Sequence, residues 1–148
     1  MTRDSTFLLL VEDNQDDVDL TLRALRQHHV VNEVVVVRDG AEALDFLFCR
    51  GQYLGREPSG LPQLVLLDIN LPKLNGLEVL RRLRDDERTK FLPVVMLTTS
   101  KDDRDMAESY AGGANSYVQK PVDFAEFTHA VRQLGSYWLV LNEAPWLT

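Results

Sequence analysis

The sequence predicts an α/β fold with a parallel sheet, because five short apolar runs alternate with segments of helical periodicity. The runs are continuous rather than alternating, which is typical of strands buried on both faces of a parallel sheet. Five such units in 148 residues match a flavodoxin-like, doubly wound five-stranded parallel sheet with helices on both faces and strand order 2-1-3-4-5. The predicted strands span residues 7–11, 33–37, 64–68, 93–98 and 116–118.

Between these runs, apolar residues recur at the spacing of amphipathic helices. Asp16 and Asp17 are candidate caps of the first helix, and Asp123 with Glu126 resembles a capping box before the last one. The fourth helix has the thinnest apolar stripe, so we expect it to be weakly anchored. The apolar positions are Val18, Leu22 and Leu25; Leu44, Leu47 and Phe48; Val79, Leu80 and Leu83; Met106, Ala107, Tyr110 and Ala111; and Phe124, Phe127, Val131, Leu134, Trp138 and Leu141.

Length and composition are typical of one globular domain over residues 1–148, with a core at about 5–141 and a C-terminal segment at 142–148. The formal net charge of −7 argues against binding to nucleic acid or to an anionic membrane surface. Cys49 is the only cysteine, so no internal disulfide can form, and no apolar run is long enough for a signal peptide or a membrane span. We therefore expect a cytoplasmic protein.

Polar residues follow the predicted strands at the edge where ligands bind in doubly wound folds. Glu12 and Asp13 follow the first strand, Asp68 ends the third, Thr98 ends the fourth, and Lys120 follows the fifth. Taken singly, each is an ordinary cap, loop acid or strand-end residue. Because parallel strands bring their carboxyl ends to one edge, we expect these side chains to converge.

Three carboxylates at one edge repel one another, and a divalent cation resolves that repulsion. Mg²⁺ prefers carboxylate and other oxygen ligands, and the sequence has no histidine or cysteine spacing that would favour zinc. An aspartate beside Mg²⁺ can also act as a nucleophile and form an aspartyl phosphate. Lys120 and the ion would neutralise the phosphoryl oxygens, and Thr98 would donate a hydrogen bond to them.

Two other functions remain compatible with these residues. An aspartate-nucleophile phosphohydrolase also places an Asp at a strand end, but it needs a second Asp two positions later as general acid, where this chain has Asn70. A scaffold module that does not depend on phosphorylation is the other possibility, although the intact Asp68 and Lys120 argue against it. Incubation with a small phosphodonor and Mg²⁺ separates all three functions.

These residues resemble the receiver domains of two-component response regulators. The matching segments are Glu12-Asp13, DINLPKLNG at 68–76, Thr98, and YVQKP at 117–121. Their spacing matches as well, with 30 positions from Asp68 to Thr98 and 22 from Thr98 to Lys120. The resemblance covers nearly the whole chain. One departure is Thr99, where the family has a small residue.

The resemblance implies a role for each matched residue. Asp68 would accept a phosphoryl group from a histidine kinase, in a reaction that the domain itself promotes, so the protein would not be an enzyme beyond this transfer and slow dephosphorylation. Thr98 and Lys120 would contact the phosphoryl group, Tyr117 would change rotamer together with Thr98, and the Lys120–Pro121 peptide would be cis. The implied Mg²⁺ ligands are Glu12, Asp13, Asp68 and the main-chain carbonyl of Asn70.

A finer resemblance concerns the loop at 50–62 and the ending SYWLVLNEAPWL. Both are similar to single-domain receivers that are paired with bacterial or cyanobacterial phytochromes. This similarity implies that the kinase is a red-light photoreceptor.

The C-terminal region indicates how the signal leaves the domain. The receiver fold accounts for the chain to about residue 141, so we expect output through protein–protein contact rather than through a further domain. The last helix is apolar all around, which predicts a homodimer interface. The readout of phosphorylation would lie on the fourth helix, fifth strand and fifth helix. The candidate interface residues are Tyr137, Trp138, Val140, Leu141, Trp146 and Leu147.

Overall fold

A computed structural model describes residues 7–27, 33–57, 60–98, 103–119 and 129. Strands and helices alternate along the chain, as predicted. The third strand is one residue shorter than predicted, so Asp68 is the first residue beyond it. The strands are β1 (Phe7–Val11), β2 (Glu33–Val37), β3 (Leu64–Leu67), β4 (Val94–Thr98) and β5 (Ser116–Gln119), and the helices are α1 (Gln15–Gln27), α2 (Gly40–Leu47), α3 (Gly76–Arg84) and α4 (Asp103–Ala111).

All five strands pair in parallel in the order β2-β1-β3-β4-β5, which confirms the predicted topology. Val11 at the end of β1 lies level with Val37 in β2 and with Leu67 in β3. The carboxyl ends of β2, β1 and β3 are therefore flush. The residues that follow β1 and β3 meet at one edge of the sheet.

The sheet is buried on both faces, which explains the continuous apolar runs in the sequence. Alternate residues of one strand enter opposite layers of the core: Leu9 packs with α2 and α3, whereas Leu8 and Leu10 pack with α1. Each fully buried leucine stabilises the fold by about 1.5–3 kcal/mol relative to an exposed one. The sheet therefore provides a rigid support for the residues at its carboxyl edge.

The first helix begins at an unpredicted cap. The Oδ1 atom of Asn14 accepts a hydrogen bond from the Asp17 amide at 3.0 Å, and the Asn14 carbonyl accepts one from Val18 at 3.0 Å. The prediction that Asp16 or Asp17 caps this helix is wrong. Both lie in its first turn, where their negative charges interact favourably with the positive end of the helix dipole. Asn14 makes the better cap because it directly precedes the first turn.

The fourth helix faces the core with a different side from the one predicted. Met106 is 42% exposed and Tyr110 is 51% exposed, and Ala107 and Ala111 are exposed as well. The predicted apolar contacts of these four residues are therefore wrong. The buried position is Ser109, whose hydroxyl donates to a main-chain carbonyl one turn earlier at 2.7 Å. A stripe of two large apolar residues and two alanines is too weak to orient a helix, and a serine bonded to its own helix is inexpensive to bury.

The second helix ends in a left-handed turn without a glycine. Cys49 has φ of 55°, and its amide donates to the Phe46 carbonyl at 3.4 Å. The Arg50 amide donates to the Asp45 carbonyl at 2.9 Å, and the two side chains form an ion pair at 3.1 Å. This pattern is a Schellman motif in which cysteine replaces the usual glycine. Cys49 is partly exposed.

The loop after this turn is held against α2. The Tyr53 hydroxyl donates to Glu42 Oε2 at 2.6 Å, and its ring meets the ring of Phe46 edge-on at 5.1 Å. Arg56 donates to the Phe46 carbonyl at 3.0 Å and lies 3.7 Å above the centre of that ring. Burial and the bond to Glu42 raise the pKa of Tyr53 to about 12. This part of the loop thus has a defined structure supported by both ends of the helix.

The predicted fifth helix and the segment at 142–148 lie outside the described residues, apart from His129, which is helical and exposed. All the candidate dimer residues belong to that part of the chain. Within the described ranges, none of the helices combines the length and the apolar character that crossing a bilayer requires.

Candidate functional site

The first part of the site follows β1, whose five residues are all buried. The Glu12 amide extends the sheet by donating to the Val37 carbonyl at 3.0 Å, so the chain is still held at this point. Glu12 is only 2% exposed, and its Oε2 accepts a hydrogen bond from the Asn14 amide at 3.2 Å. Asp13 is exposed. The two acids therefore differ, one being buried under the strand end and the other open to solvent.

The second part follows β3. The Asp68 amide donates to the Val11 carbonyl at 3.2 Å, which fixes its backbone beside the end of β1. Asp68 is 8% exposed, and its Oδ1 accepts a hydrogen bond from the Asn70 amide at 3.3 Å. Asn70 itself is exposed. An apolar strand thus delivers a carboxylate to a fixed place with an opening to solvent beside it.

Carboxylate oxygens of Glu12, Asp13 and Asp68 all lie within 4.8 Å of one another. The sequence predicted this convergence, and the geometry agrees with it. Oxygen donors of this kind suit a hard divalent cation such as Mg²⁺ or Mn²⁺. The three residues therefore fit the implied metal, which would also relieve the repulsion between their charges.

The loop from Asp68 to α3 depends on a glycine at its end. A side chain at Gly76 would place its Cβ 2.1 Å from the Asp68 carbonyl oxygen, so the backbones pack directly on each other. The Gly76 amide donates to the Ile69 carbonyl at 2.8 Å. Asn75 then caps α3 by accepting from the Glu78 amide at 3.0 Å. The absence of a side chain at Gly76 consequently lets the end of the loop pack directly on Asp68, the candidate nucleophile.

The remaining predicted residues are described only in part. The backbone of Thr98 ends β4 opposite Gln119, but its side chain, Thr99, and the Lys120–Pro121 pair with its predicted cis peptide lie outside the described part of the structure. Tyr117 lies in β5 level with Met96 and is partly buried against the core on the α2 and α3 side. These roles remain predictions.

Asn14 is a residue of this edge that the sequence interpretation missed. It caps α1 through its side chain and donates its amide to Glu12, so it links the buried acid to the helix start. The signal was available, because an Asn that precedes two acids and an apolar-periodic segment is a common helix start. The two acids that follow it are equally common at helix starts, which made the assignment ambiguous.

Comparison with known proteins identifies the family. The sequence profile of the response regulator receiver domain matches residues 8–132. FilR2 of Methanothrix harundinacea, named as a probable methanogenesis regulatory protein, is 39% identical over 142 residues, covering 96% of this chain and 89% of that protein. Response regulator Rcp1 of Synechocystis sp. is 38% identical over 132 residues, covering 89% of this chain and 88% of Rcp1.

Solved structures are also similar along nearly the whole chain. The phosphorylated cyanobacterial phytochrome response regulator RcpA has a TM-score of 0.87 at 38% identity and covers 95% of this chain and 98% of its own. The Mn²⁺-bound form of Rcp1 has a TM-score of 0.87 at 35% identity, with 95% and 99% covered. The bacteriophytochrome response regulator RtBRR has a TM-score of 0.76 at 50% identity, with 95% and 84% covered. This chain therefore belongs to the response regulator receiver-domain family of two-component signalling proteins.

Proposed function

We propose that Asp68 of this protein accepts a phosphoryl group from the phosphohistidine of a sensor histidine kinase. One observation carries the proposal: the Asp68 carboxylate lies within 4.8 Å of the Glu12 and Asp13 carboxylates at the carboxyl edge of the sheet. Asp68 is the first residue beyond β3. Phosphorylation on an aspartate is typical of the receiver family to which the chain belongs.

The proposed cofactor is Mg²⁺, held by Glu12, Asp13, Asp68 and the main-chain carbonyl of Asn70. Two of the three carboxylates are buried, which favours retention of an ion over free solvation of three charges. The Mn²⁺-bound form of Rcp1 supports a divalent cation in a similar protein. When bound, the ion would neutralise charge on the phosphoryl oxygens.

The chemical step is a displacement at phosphorus by a carboxylate oxygen of Asp68. The new O–P bond forms as the N–P bond of the phosphohistidine breaks, and the released imidazole nitrogen keeps the electron pair and takes a proton from solvent. The Asn70 amide, 3.3 Å from Asp68 Oδ1, holds the carboxylate in one orientation. Thr98 and Lys120 are proposed to contact the phosphoryl oxygens, with a cis Lys120–Pro121 peptide aiming the lysine.

The test is incubation of the protein with acetyl phosphate and Mg²⁺, followed by intact mass spectrometry. We expect a mass gain of one phosphoryl group that Asp68→Asn and EDTA both abolish. Asp85→Asn is the matched control, because this side chain is 69% exposed and lies at the end of α3 away from the cluster. Sustained turnover of phosphomonoesters would instead support the phosphohydrolase, and an unmodified wild-type protein would support the scaffold.

We further propose that the kinase is a phytochrome. The similarity to RcpA, Rcp1 and RtBRR supports this assignment, since RcpA and RtBRR are named as phytochrome or bacteriophytochrome response regulators. A panel of purified histidine kinases provides the test, with phosphotransfer from a phytochrome expected to be the fastest. Equal or faster transfer from kinases that do not sense light would contradict the proposal. Such kinases belong in the panel because FilR2, a similar protein, is named for methanogenesis and not for light sensing.

The signal is proposed to leave through α4, β5 and the fifth helix, with Thr98 and Tyr117 shifting toward the phosphoryl group. The exposed Met106 and Tyr110 support α4 as a surface that a partner can contact. NMR spectra recorded with and without a phosphoryl analogue test this proposal. Unchanged α4 and β5 signals would contradict it.

The predicted last helix and the segment that follows it are proposed to form a homodimer interface, and the protein is proposed to be cytoplasmic. The residues proposed for the interface are Tyr137, Trp138, Val140, Leu141, Trp146 and Leu147. Light scattering at micromolar concentration, with and without phosphorylation, tests it, and a monomer under both conditions would contradict it. The net charge of −7 supports a protein partner rather than nucleic acid.

A further inference from the structure

The start of α2 touches the loop that follows Asp68. Asp39 uses both of its carboxylate oxygens there: Oδ1 accepts from the Glu42 amide at 2.7 Å and caps α2, while Oδ2 lies 3.5 Å from Lys73 Nζ. The Asp39 side chain is only 15% exposed, whereas that of Lys73 is 69% exposed. One aspartate therefore joins the helix start to the loop.

Gly40 makes a closer contact with the same loop. A Cβ at this position would lie 1.9 Å from the Leu74 carbonyl oxygen and 2.8 Å from the Leu74 Cβ. The Gly40 amide also points to the Pro72 carbonyl, with 3.4 Å between nitrogen and oxygen. Because the neighbouring atom is backbone, a side chain could be accommodated only if the loop moved away from α2.

The loop has little freedom of its own to absorb such a movement. Lys73 is in the left-handed region with φ of 67°, which a non-glycine residue adopts only when its surroundings hold it there. At the far end, Gly76 packs directly on the Asp68 carbonyl oxygen. A displacement at Leu74 is therefore transmitted over a few residues to Asp68 and Asn70.

We propose that Asp39 and Gly40 are positioning residues for the phosphorylation of Asp68. They touch neither the phosphoryl group nor the metal; they hold the loop so that the Asp68 carboxylate and the Asn70 carbonyl stay in register with Glu12. The inference rests on the proposed phosphoacceptor function of Asp68. It assigns to the start of α2 a part in the chemistry at the neighbouring strand ends.

Gly40→Ala is the decisive variant. We expect the rate constant for phosphorylation by acetyl phosphate at saturating Mg²⁺ to fall by about tenfold or more, because small misplacements of reacting groups are costly. Gly55→Ala is the matched control, since Gly55 is exposed and a Cβ added there would have nothing within 4 Å of it. Its rate should stay within about twofold of the wild-type rate.

A second readout separates positioning from loss of structure. Mn²⁺ affinity measured by calorimetry should fall in Gly40→Ala together with the rate, at a temperature where urea titration shows the variant to be folded. A folded Gly40→Ala that binds Mn²⁺ and accepts phosphate as the wild type does would overturn the inference. A wild type and a Gly55→Ala that both fail to react would instead overturn the proposed function.

If Gly40→Ala does not fold, variants of the ion pair between Asp39 and Lys73 provide the test. Asp39→Asn retains a capping oxygen for α2 and removes the charge that faces Lys73, and Lys73→Met removes the other partner. We expect each to lower the rate by about twofold to threefold, and the double variant to lower it no further, because both break one contact. Rates equal to the wild type in both single variants would overturn the inference.

Discussion

The helices α2 and α4 both pack beside α3, but they are held very differently. α2 buries four apolar side chains, Ala43, Leu44, Phe46 and Leu47, and carries the ordered loop with Tyr53 and Arg56. α4 adds no buried apolar side chain to the core among the residues described, and its buried position is Ser109. The domain thus has one firmly packed helix and one lightly packed helix around a common neighbour.

This difference suggests how a receiver can combine a fixed site with a movable surface. Changing a two-state equilibrium from 1:99 to 99:1 requires about 5.5 kcal/mol of differential binding. Withdrawing a single buried leucine of α2 from the core would cost about 1.5–3 kcal/mol of that amount. Among the described residues of α4, no leucine or other large apolar side chain would have to leave the core when the helix shifts. We therefore expect the start of α2 to keep the site in place while α4 responds.

The largest expected contrast is in core truncation. Leu47→Ala, at a fully buried position of α2, should lower the free energy of unfolding by about 3 kcal/mol, because it removes buried methyl groups and leaves a cavity. Met106→Ala, on the exposed side of α4, should change it by less than about 0.5 kcal/mol. Urea denaturation measures both. Similar losses in the two variants would show that α4 is packed as firmly as α2.

Amide hydrogen exchange tests the same contrast without mutation. Amides in α4 should exchange faster than those in α2 by about tenfold or more, since opening α4 exposes little apolar surface. The amides of β3 provide the reference for global unfolding. Protection in α4 that equals protection in β3 would contradict the assignment of α4 as the lightly held helix.

Cys49 and Gly51, which follow α2, both adopt left-handed backbone conformations. Substituting each in the opposite direction tests how much that conformation costs with and without a side chain. Gly51→Ala should lower the free energy of unfolding by about 1 kcal/mol or more. The reason is that φ is 59° and the new Cβ would lie 2.8 Å from Asp45 Oδ2. Cys49→Gly should raise it by about 0.5 kcal/mol, because glycine adopts φ of 55° without strain. Urea denaturation compares them with Gly55→Ala, for which no change is expected.

The last prediction concerns the alkaline stability that Tyr53 contributes. Burial and the hydrogen bond to Glu42 raise the pKa of Tyr53 from 10.0 to about 12. Between these values the folded protein keeps a proton that the unfolded chain has released, so stability must fall as pH rises through this range. Tyr53→Phe should weaken this fall in urea titrations at about pH 9 and pH 11. Tyr110→Phe, on the exposed side of α4, should leave it unchanged.

Much of the candidate site could be predicted from the sequence alone. Runs of Val and Leu that end in Glu12, Asp13 and Asp68 predict buried strands with acids at their carboxyl ends, and parallel topology requires those ends to meet. The orientation of α4 was not readable, because Met106 and Tyr110 form a stripe too short to outweigh tertiary contacts. The cap of α1 was readable but was assigned to the wrong residue.

The sequence by itself therefore determined the order of the elements, the strand topology and the chemistry of the candidate site. These depend on hydrophobic periodicity and on residue type, which are local properties of the chain. Only the tertiary structure decided which side of α4 faces the core and that Gly40 contacts Leu74 across 34 residues. Such contacts depend on where distant backbones approach each other. A glycine in the sequence shows that close approach is allowed, but not what will approach it.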